Sequence, residues 1–126
     1  MFPVLEVIVA SFNQLTSVNF SLTAEERRDK RKKKKRHYPF AKLKKLDLQN
    51  NHLEKFPNLT ACGKLRKLHL NGNYIKEISS ADKTQNPLLK ELDIARNELY
   101  IPDNDHLCAF ILELRSYPEL KKLNIE

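Results

Sequence analysis

The feature that most constrains the fold is a short leucine-rich pattern that recurs along the chain. Three full copies read "LKKLDLQNNHL", "LRKLHLNGNYI" and "LKELDIARNEL", a fainter copy reads "LEVIVASFNQL", and a shortened copy reads "LKKLNIE". The copies start at Leu5, Leu43, Leu65, Leu89 and Leu120, at intervals of 38, 22, 24 and 31 residues. Apolar residues and one Asn recur in register, which is typical of a repeat architecture.

Alternation inside each copy predicts a β-strand. Leu46 and Leu48 would point to one side of the strand, and Lys45, Asp47 and Gln49 to the other. One such strand cannot bury its apolar side alone, whereas stacked copies form a parallel sheet over a continuous core. The sequence therefore predicts that Leu46, Leu68, Leu92 and Leu123 align inside a shared interior.

An Asn follows the strand in four of the copies, where the backbone must turn. These residues are Asn13, Asn51, Asn73 and Asn97. A buried amide at this place can bond to peptide groups of adjacent turns that would be costly to leave unpaired. The alternative, four unrelated turn asparagines, is disfavoured by the shared register.

The connections between strands contain further apolar residues at about every third position. Those expected to point inward are Leu53, Phe56, Leu59, Cys62, Ile75 and Ile78, followed by a polar surface loop, "SSADKTQNP". The stretch "DHLCAFILELRSY" has helical spacing at Leu107, Phe110, Ile111 and Leu114, with Asp105 as the expected N-cap. This pattern predicts one helix on the convex side that packs into the core.

The repeats resemble the leucine-rich repeat family, in its short 22-residue class. The resemblance implies an α/β solenoid with a curved parallel β-sheet on the concave side and 3₁₀, loop and short-helix returns on the convex side. Residues 1–126 would form one domain of about five repeats. The first and last repeats are incomplete, so we expect a fragment of a longer protein. The asparagines would form the family's ladder.

A narrower resemblance rests on the order of the spacers. "LTSV" follows the first Asn, a basic insertion closes in "KRHYPF", a 22-residue unit comes next, and a wide interval ends in "YPEL". This order is similar to the later repeats of the X-ray radiation resistance-associated protein family, although the basic run here is more extreme. The resemblance implies a nuclear and cytoplasmic protein without catalytic residues.

The positive charge of the chain is concentrated in one insertion, residues 23–38. Its cations are Arg27, Arg28, Lys30, Arg31, Lys32, Lys33, Lys34, Lys35 and Arg36. They are nine of the 23 Lys and Arg residues, and with three of the 16 acids nearby they account for +6 of the +7 net charge. Three interpretations stay open: a solvated loop, a nuclear import signal, and a nucleic-acid contact in which His37, Tyr38 and Phe40 stack on bases.

The concave face is the predicted site for a protein partner. Its candidate contacts are Val7, Val9, Lys45, Asp47, Gln49, Lys67, His69, Asn71, Glu91, Asp93 and Lys122. Adjacent strands would place the imidazole of His69 between the carboxylates of Asp47 and Asp93. A metal on this trio is a weak alternative, because such groups on a wet sheet are more often solvated.

The remaining features exclude several function classes. The two glycines lie far apart, and no Ser or Cys nucleophile has a base at a recognisable spacing, so we expect no enzyme, cofactor or small-molecule substrate. The opening stretch is too short and too charged for a signal peptide or membrane span, which predicts no membrane partner. Cys62 and Cys108 are expected to be reduced core thiols of an intracellular protein. Two functions remain: a protein-binding scaffold, or a nucleic-acid-binding accessory protein that uses the basic insertion.

Overall fold

The computed structural model describes residues 5–20, 40–78, 86–115 and 117–126. Within these ranges the chain forms five short strands and one helix, α1, which lies between the last two strands. The elements are β1 (Val7–Val9), β2 (Lys45–Asp47), β3 (Lys67–His69), β4 (Glu91–Asp93), α1 (Asn104–Leu114) and β5 (Lys122–Asn124). The strands pair in parallel and in chain order, β1-β2-β3-β4-β5. The predicted solenoid with an open parallel sheet is confirmed.

The register of the sheet follows the repeat pattern. Leu46 pairs with Leu68, Leu68 with Leu92, and Leu92 with Leu123. The first three side chains are fully buried, and Leu123 on the last strand is 38% exposed. Each fully buried leucine contributes about 1.5–3 kcal/mol through the hydrophobic effect. The predicted register is therefore confirmed, and Leu46, Leu68 and Leu92 share one interior. The prediction that Leu123 is buried with them was wrong, because β5 has a neighbouring strand on one side only.

The returns between strands complete the core. The inward residues predicted for the two middle returns are buried, apart from the half-buried Phe56. The buried ones are Leu53, Leu59, Cys62, Ile75 and Ile78. In the described returns the backbone forms turns and bends instead of the expected 3₁₀ segments.

A left-handed residue precedes the repeat asparagine in four copies. Phe12, Asn50, Gly72 and Arg96 have φ angles of 56°, 56°, 73° and 52°. The chain turns sharply here to leave the sheet, and a left-handed conformation is costly for residues other than Gly. Gly72 has a second constraint, because a Cβ at this place would collide with the side chain of Asn50.

Helix α1 differs from its prediction in two respects. Its N-cap is Asp103, whose carboxylate accepts a hydrogen bond from the backbone N–H of His106 at 2.9 Å, so the assignment to Asp105 was wrong. Phe110 and Leu114 pack against the core as expected.

The outer side of α1 is more exposed than its apolar composition indicates. Leu107 and Ile111 are 39% and 52% exposed, so their predicted core packing was wrong. Cys108 is also exposed, which corrects the prediction of two core thiols, and only Cys62 is buried. Of the four predicted apolar contacts of the helix, Phe110 and Leu114 therefore pack against the core, whereas Leu107 and Ile111 face solvent.

The described residues that flank the basic insertion meet each other. The rings of Phe20 and Phe40 pack edge to face with centroids 4.7 Å apart. The N–H of Phe20 donates to the carbonyl of Asn58, and the N–H of Ala61 donates to the carbonyl of Phe20, both at 2.7 Å. The two ends therefore lie close together on the return side of the solenoid. The insertion, residues 23–38, lies outside the described residues.

Candidate binding face

Parallel pairing arranges the outward side chains of the strands in rows. The first row is Val7, Lys45, Lys67, Glu91 and Lys122, and the second row is Val9, Asp47, His69, Asp93 and Asn124. Backbone hydrogen bonds continue the pairing beyond the strands, from Phe12 to Gln49 at 3.0 Å and from Asn50 to Asn71 at 2.9 Å. The face therefore presents in register the side chains that the repeat pattern assigns to it.

The second row has a structural function of its own. One carboxylate oxygen of Asp47 accepts a hydrogen bond from the N–H of Gln49 at 3.2 Å, and Asp93 accepts one from the N–H of Ala95 at 3.1 Å. Such contacts close a turn two residues further along the chain, a role for which Asp and Asn are suited. These acids thus stabilise the ends of their strands, and Asp47 is only 6% exposed.

His69 occupies the same place in β3 and lies between two carboxylates. Its Nδ1 is 3.9 Å from Oδ2 of Asp47, and its Nε2 is 3.4 Å from Oε1 of Glu91. The prediction that Asp93 is the second neighbour of His69 was wrong. The longer side chain of Glu91 reaches His69 diagonally from the first row of β4. The carboxylate of Asp93 turns instead toward the backbone of Ala95.

Amide groups extend this contact across the centre of the face. Nε2 of Gln49 donates to Oδ2 of Asp47 at 3.2 Å, and Nδ2 of Asn71 donates to Oε1 of Gln49 at 3.2 Å. The resulting chain of polar contacts connects β4, β3 and β2. We call the five residues Glu91, His69, Asp47, Gln49 and Asn71 the central network. Because its members hold one another, this part of the face is rigid.

The lysines of the first row are the polar groups left free. Among the described residues, no ion pair within 4.0 Å involves Lys45, Lys67 or Lys122. The neighbouring Lys44, by contrast, forms an ion pair with Glu6 at 3.4 Å. The ammonium groups of the first row are therefore available to a ligand.

The first strand gives the face an apolar end. Val7 and Val9 are 53% and 60% exposed, and they lie beside Lys45 and Asp47 in the register. Exposed β-branched side chains on a sheet offer contact area at a small entropic cost, because their rotamers are already restricted. The face thus changes from apolar to charged between β1 and β2.

The repeat asparagines lie beside the face and connect its turns. Asn73 accepts a hydrogen bond from the N–H of Leu53 at 3.1 Å and donates to the carbonyls of Leu48 and Leu70 at 3.0 and 2.9 Å. Asn51 and Asn97 make the equivalent contacts, each with the repeat before it and with the end of its own strand. Asn13 is exposed and bonds to carbonyls of its own turn, Ala10 and Ser11.

Sequence reasoning missed one buried amide. Asn86 lies within the stretch read as a surface loop, yet it is 5% exposed and donates to the carbonyls of Leu59 and Cys62 at 3.1 and 2.9 Å. Its position gave a usable signal, because it precedes Leu89 by three residues. Phe40, Cys62 and Tyr117 have the same offset from the first leucine of their repeats and also pack into the core.

In residues 5–20, 40–78, 86–115 and 117–126, no group of three or more His, Cys, Asp or Glu side chains is placed to hold a metal ion. Among the same residues, the chain contains no helix with the length and apolar character that a membrane span requires.

Comparison with known proteins supports the repeats. Residues 41–83 match the family model described as Leucine Rich repeats (2 copies). Over 59 residues the chain is 42% identical to leucine-rich repeat-containing G-protein coupled receptor 5 of Rattus norvegicus, a match that covers 47% of this chain and 6% of the receptor. The chain thus spans a small part of that relative's length. Together with the sheet, these matches confirm the predicted leucine-rich repeats, and the narrower resemblance stays a prediction.

Proposed function

We propose that this chain is a non-enzymatic scaffold that binds another protein through the concave face formed by β1–β5. The observation that favours this function is the combination of a rigid centre with free contact groups. The central network connects β2, β3 and β4, while the ammonium groups of Lys45 and Lys67 have no partner among the described residues. A surface that is ordered before binding loses less entropy when a partner docks.

The repeat architecture itself supports a binding function. A solenoid of stacked repeats presents an extended curved surface, and such surfaces are generally used to contact other macromolecules. The similarity to leucine-rich repeats over residues 41–83 covers β2 and β3, which lie at the centre of the proposed interface.

We further propose that the basic run at residues 27–36 is a nuclear import signal, so that the protein is present in the nucleus and the cytoplasm. Short runs rich in Lys and Arg serve this role. The contact between Phe20 and Phe40 supports a signal that is separate from the binding face, because both flanks of the insertion lie on the return side. The narrower family resemblance implies the same localisation.

Direct nucleic-acid binding by the insertion is the alternative, and one structural observation weakens it. Phe40 was expected to stack on a base together with His37 and Tyr38, but its ring packs against Phe20 and the core. Stacking on aromatic side chains provides much of the affinity for single strands. Of the three candidates, only His37 and Tyr38 then remain for this role.

Site-specific photo-crosslinking tests the scaffold function. A photoreactive amino acid replaces Lys67 on the face or, as a control, the exposed Lys55 in the return between β2 and β3. We expect irradiation in cell extract to crosslink a discrete protein from position 67 and not from position 55. Equal crosslinking from both positions, or none from position 67, contradicts binding by the concave face.

Deletion of residues 25–36 tests the role of the insertion. We expect the deletion to abolish nuclear accumulation and to leave the crosslink from position 67 unchanged. Nuclear accumulation that survives the deletion contradicts the import signal. Retention of the intact chain on single-stranded nucleic acid at 0.15 M salt, lost in the deletion, would instead support the alternative function.

A further inference from the structure

We infer that the partner segment bound by the concave face is acidic and places an apolar side chain against β1. The inference depends on the proposed function and specifies the chemistry of the partner. It follows from a difference between the acids and the lysines of the face. The acids make contacts within the molecule, whereas the lysines form no ion pair with other described residues.

The acids of the face are occupied by internal contacts. Asp47 bonds to the N–H and the side chain of Gln49, and Asp93 bonds to the N–H of Ala95. The carboxylate of Glu91 faces the imidazole of His69 at 3.4 Å. A basic partner would have to compete with these contacts, so the acids are poor anchors for it.

The lysines of the face form no ion pair with other described residues, and two of them are adjacent. Lys45 and Lys67 are directly paired in the register of β2 and β3, and neighbouring strands lie about 4.8 Å apart. One carboxylate above the two strands can therefore accept hydrogen bonds from both ammonium groups. Hydrogen bonds between ionised groups are about twice as strong as neutral ones.

The apolar surface of β1 lies directly beside this pair. Val7 is the register partner of Lys45, and Val7 and Val9 are both more than half exposed. A segment that crosses the strands can thus place an apolar side chain on β1 and an acidic one over β2 and β3. The combination favours a protein segment over nucleic acid, which has no apolar side chain for the valines.

The same arrangement disfavours a phosphate backbone. Affinity for nucleic acid depends on many cations that neutralise successive phosphates. Here acids of the central network lie next to both lysines, since Glu91 is the register partner of Lys67 and Asp47 follows Lys45 by two residues on the same strand. A single carboxylate can lie between the two lysines, whereas a run of phosphates would also meet those acids.

Selection from a random phage-displayed peptide library tests the inference without knowledge of the natural partner. The bait is residues 1–126, and the enriched peptides are then measured by fluorescence anisotropy and by NMR shift mapping. We expect net acidic peptides with apolar residues, which shift the amides of β1–β3. The double variant Lys45→Glu, Lys67→Glu should weaken binding at least about tenfold, which corresponds to about 1.4 kcal/mol.

The matched control carries the same charge change on the return side. Lys55→Glu with Lys64→Glu alters two exposed lysines there and should change the affinity by less than about twofold. A second variant, Lys45→Arg with Lys67→Arg, keeps the charges and should retain binding. An equal loss in the return-side variant would show a nonspecific charge effect and overturn the inference.

The other outcomes separate the inference from the proposed function. Enriched peptides that are basic or uncharged but still shift the amides of β1–β3 overturn the acidic partner and leave the scaffold function intact. Peptides that shift only amides outside the face contradict both. Binding of oligothymidylate that is lost in Lys45→Glu, Lys67→Glu assigns the lysines to phosphate and also overturns the inference.

Discussion

The middle repeats and the outer repeats use the same motif in different surroundings. Leu46, Leu68 and Leu92, on β2, β3 and β4, are fully buried, whereas Leu123 on β5 is 38% exposed. Ile8 on β1 is also only partly buried. The motif therefore supplies an apolar face, and neighbours on both sides decide how much of that face is removed from water.

The asparagines show the same contrast. Asn73 bonds to the repeat before it and to its own strand end, and it is 3% exposed. Asn13 occupies the corresponding place after β1 and bonds only within its own turn. Most of the contribution of a motif residue to stability therefore comes from its contacts with the adjacent repeat.

Substitution of a middle and an outer strand leucine should give the largest difference in the free energy of unfolding. Leu68→Ala removes a fully buried side chain between two packed strands and should lower the free energy of unfolding by about 3–4 kcal/mol. Leu123→Ala, in the same register position of β5, should cost about 1 kcal/mol, because its side chain is already partly in water. Urea unfolding measures both, and equal losses would contradict the role given to neighbouring repeats.

Substitutions of the middle and the outer asparagine should differ by less in their effect on the free energy of unfolding. Asn73→Ala leaves the buried N–H of Leu53 without its partner and removes one of the two amide donors to each of the carbonyls of Leu48 and Leu70, so it should cost about 2–3 kcal/mol. Asn13→Ala should change stability by under about 0.5 kcal/mol, as for other surface substitutions. The same urea titrations provide the measurement. A large effect at Asn13 would show that this residue bonds beyond its own turn.

The left-handed turn position offers a comparison between two repeats. Gly72→Ala adds a Cβ where φ is 73° and the side chain of Asn50 is close, so it should destabilise by about 1–2 kcal/mol. Arg96→Gly, at the same place in the next repeat, should relieve a φ of 52° and stabilise by up to about 1 kcal/mol. Thermal unfolding compares the two variants. The two changes in stability should have opposite signs, and changes of the same sign would contradict a backbone constraint shared by the two repeats.

The cap of α1 should give the smallest effect, confined to the helix. The backbone N–H of His106, and then its side chain, lower the pKa of Asp103 below the ordinary value of 3.8. The resulting stabilisation is present above that ordinary pKa and is lost as the pH falls through the lower folded value. The protection of the α1 amides, measured relative to the intrinsic exchange rate at each pH, should therefore decrease below about pH 4.

Two variants of the cap isolate this titration. Asp103→Asn keeps a good cap without an ionisable group, so its α1 should show no decrease in amide protection in that pH range. Asp105→Ala, at the residue first expected to cap the helix, should retain the pH dependence of the original chain. Loss of that dependence in Asp105→Ala would restore the sequence-based assignment.

The repeat motif accounts for the part of the fold that was predictable. Strand positions and rows follow from a two-residue alternation, and the register follows because a one-residue slip would turn Leu46 and Leu68 toward solvent. The residues of the candidate face were predictable to the same extent, because they are the outward-pointing residues that alternate with the buried leucines.

Side-chain details were less predictable, for a physical reason in each case. Glu91 rather than Asp93 contacts His69, because side-chain length and a competing backbone N–H decide the geometry. Asp103 and Asp105 both precede the apolar helical pattern, and the backbone conformation that selects the cap leaves no mark in composition. Asn86 is buried within a polar stretch, where its amide donates to two carbonyls of the adjacent return, and the composition of that stretch does not indicate such contacts.

Methyl NOEs between the strand leucines test the central claim most directly, since the binding face exists only if the repeats stack in register. In a sample with labelled leucine methyl groups, the structure predicts NOEs from Leu46 to Leu68 and from Leu68 to Leu92, with none from Leu46 directly to Leu92. NOEs that instead connect Leu46 with Leu92, or the absence of both predicted contacts, would contradict the stacked solenoid.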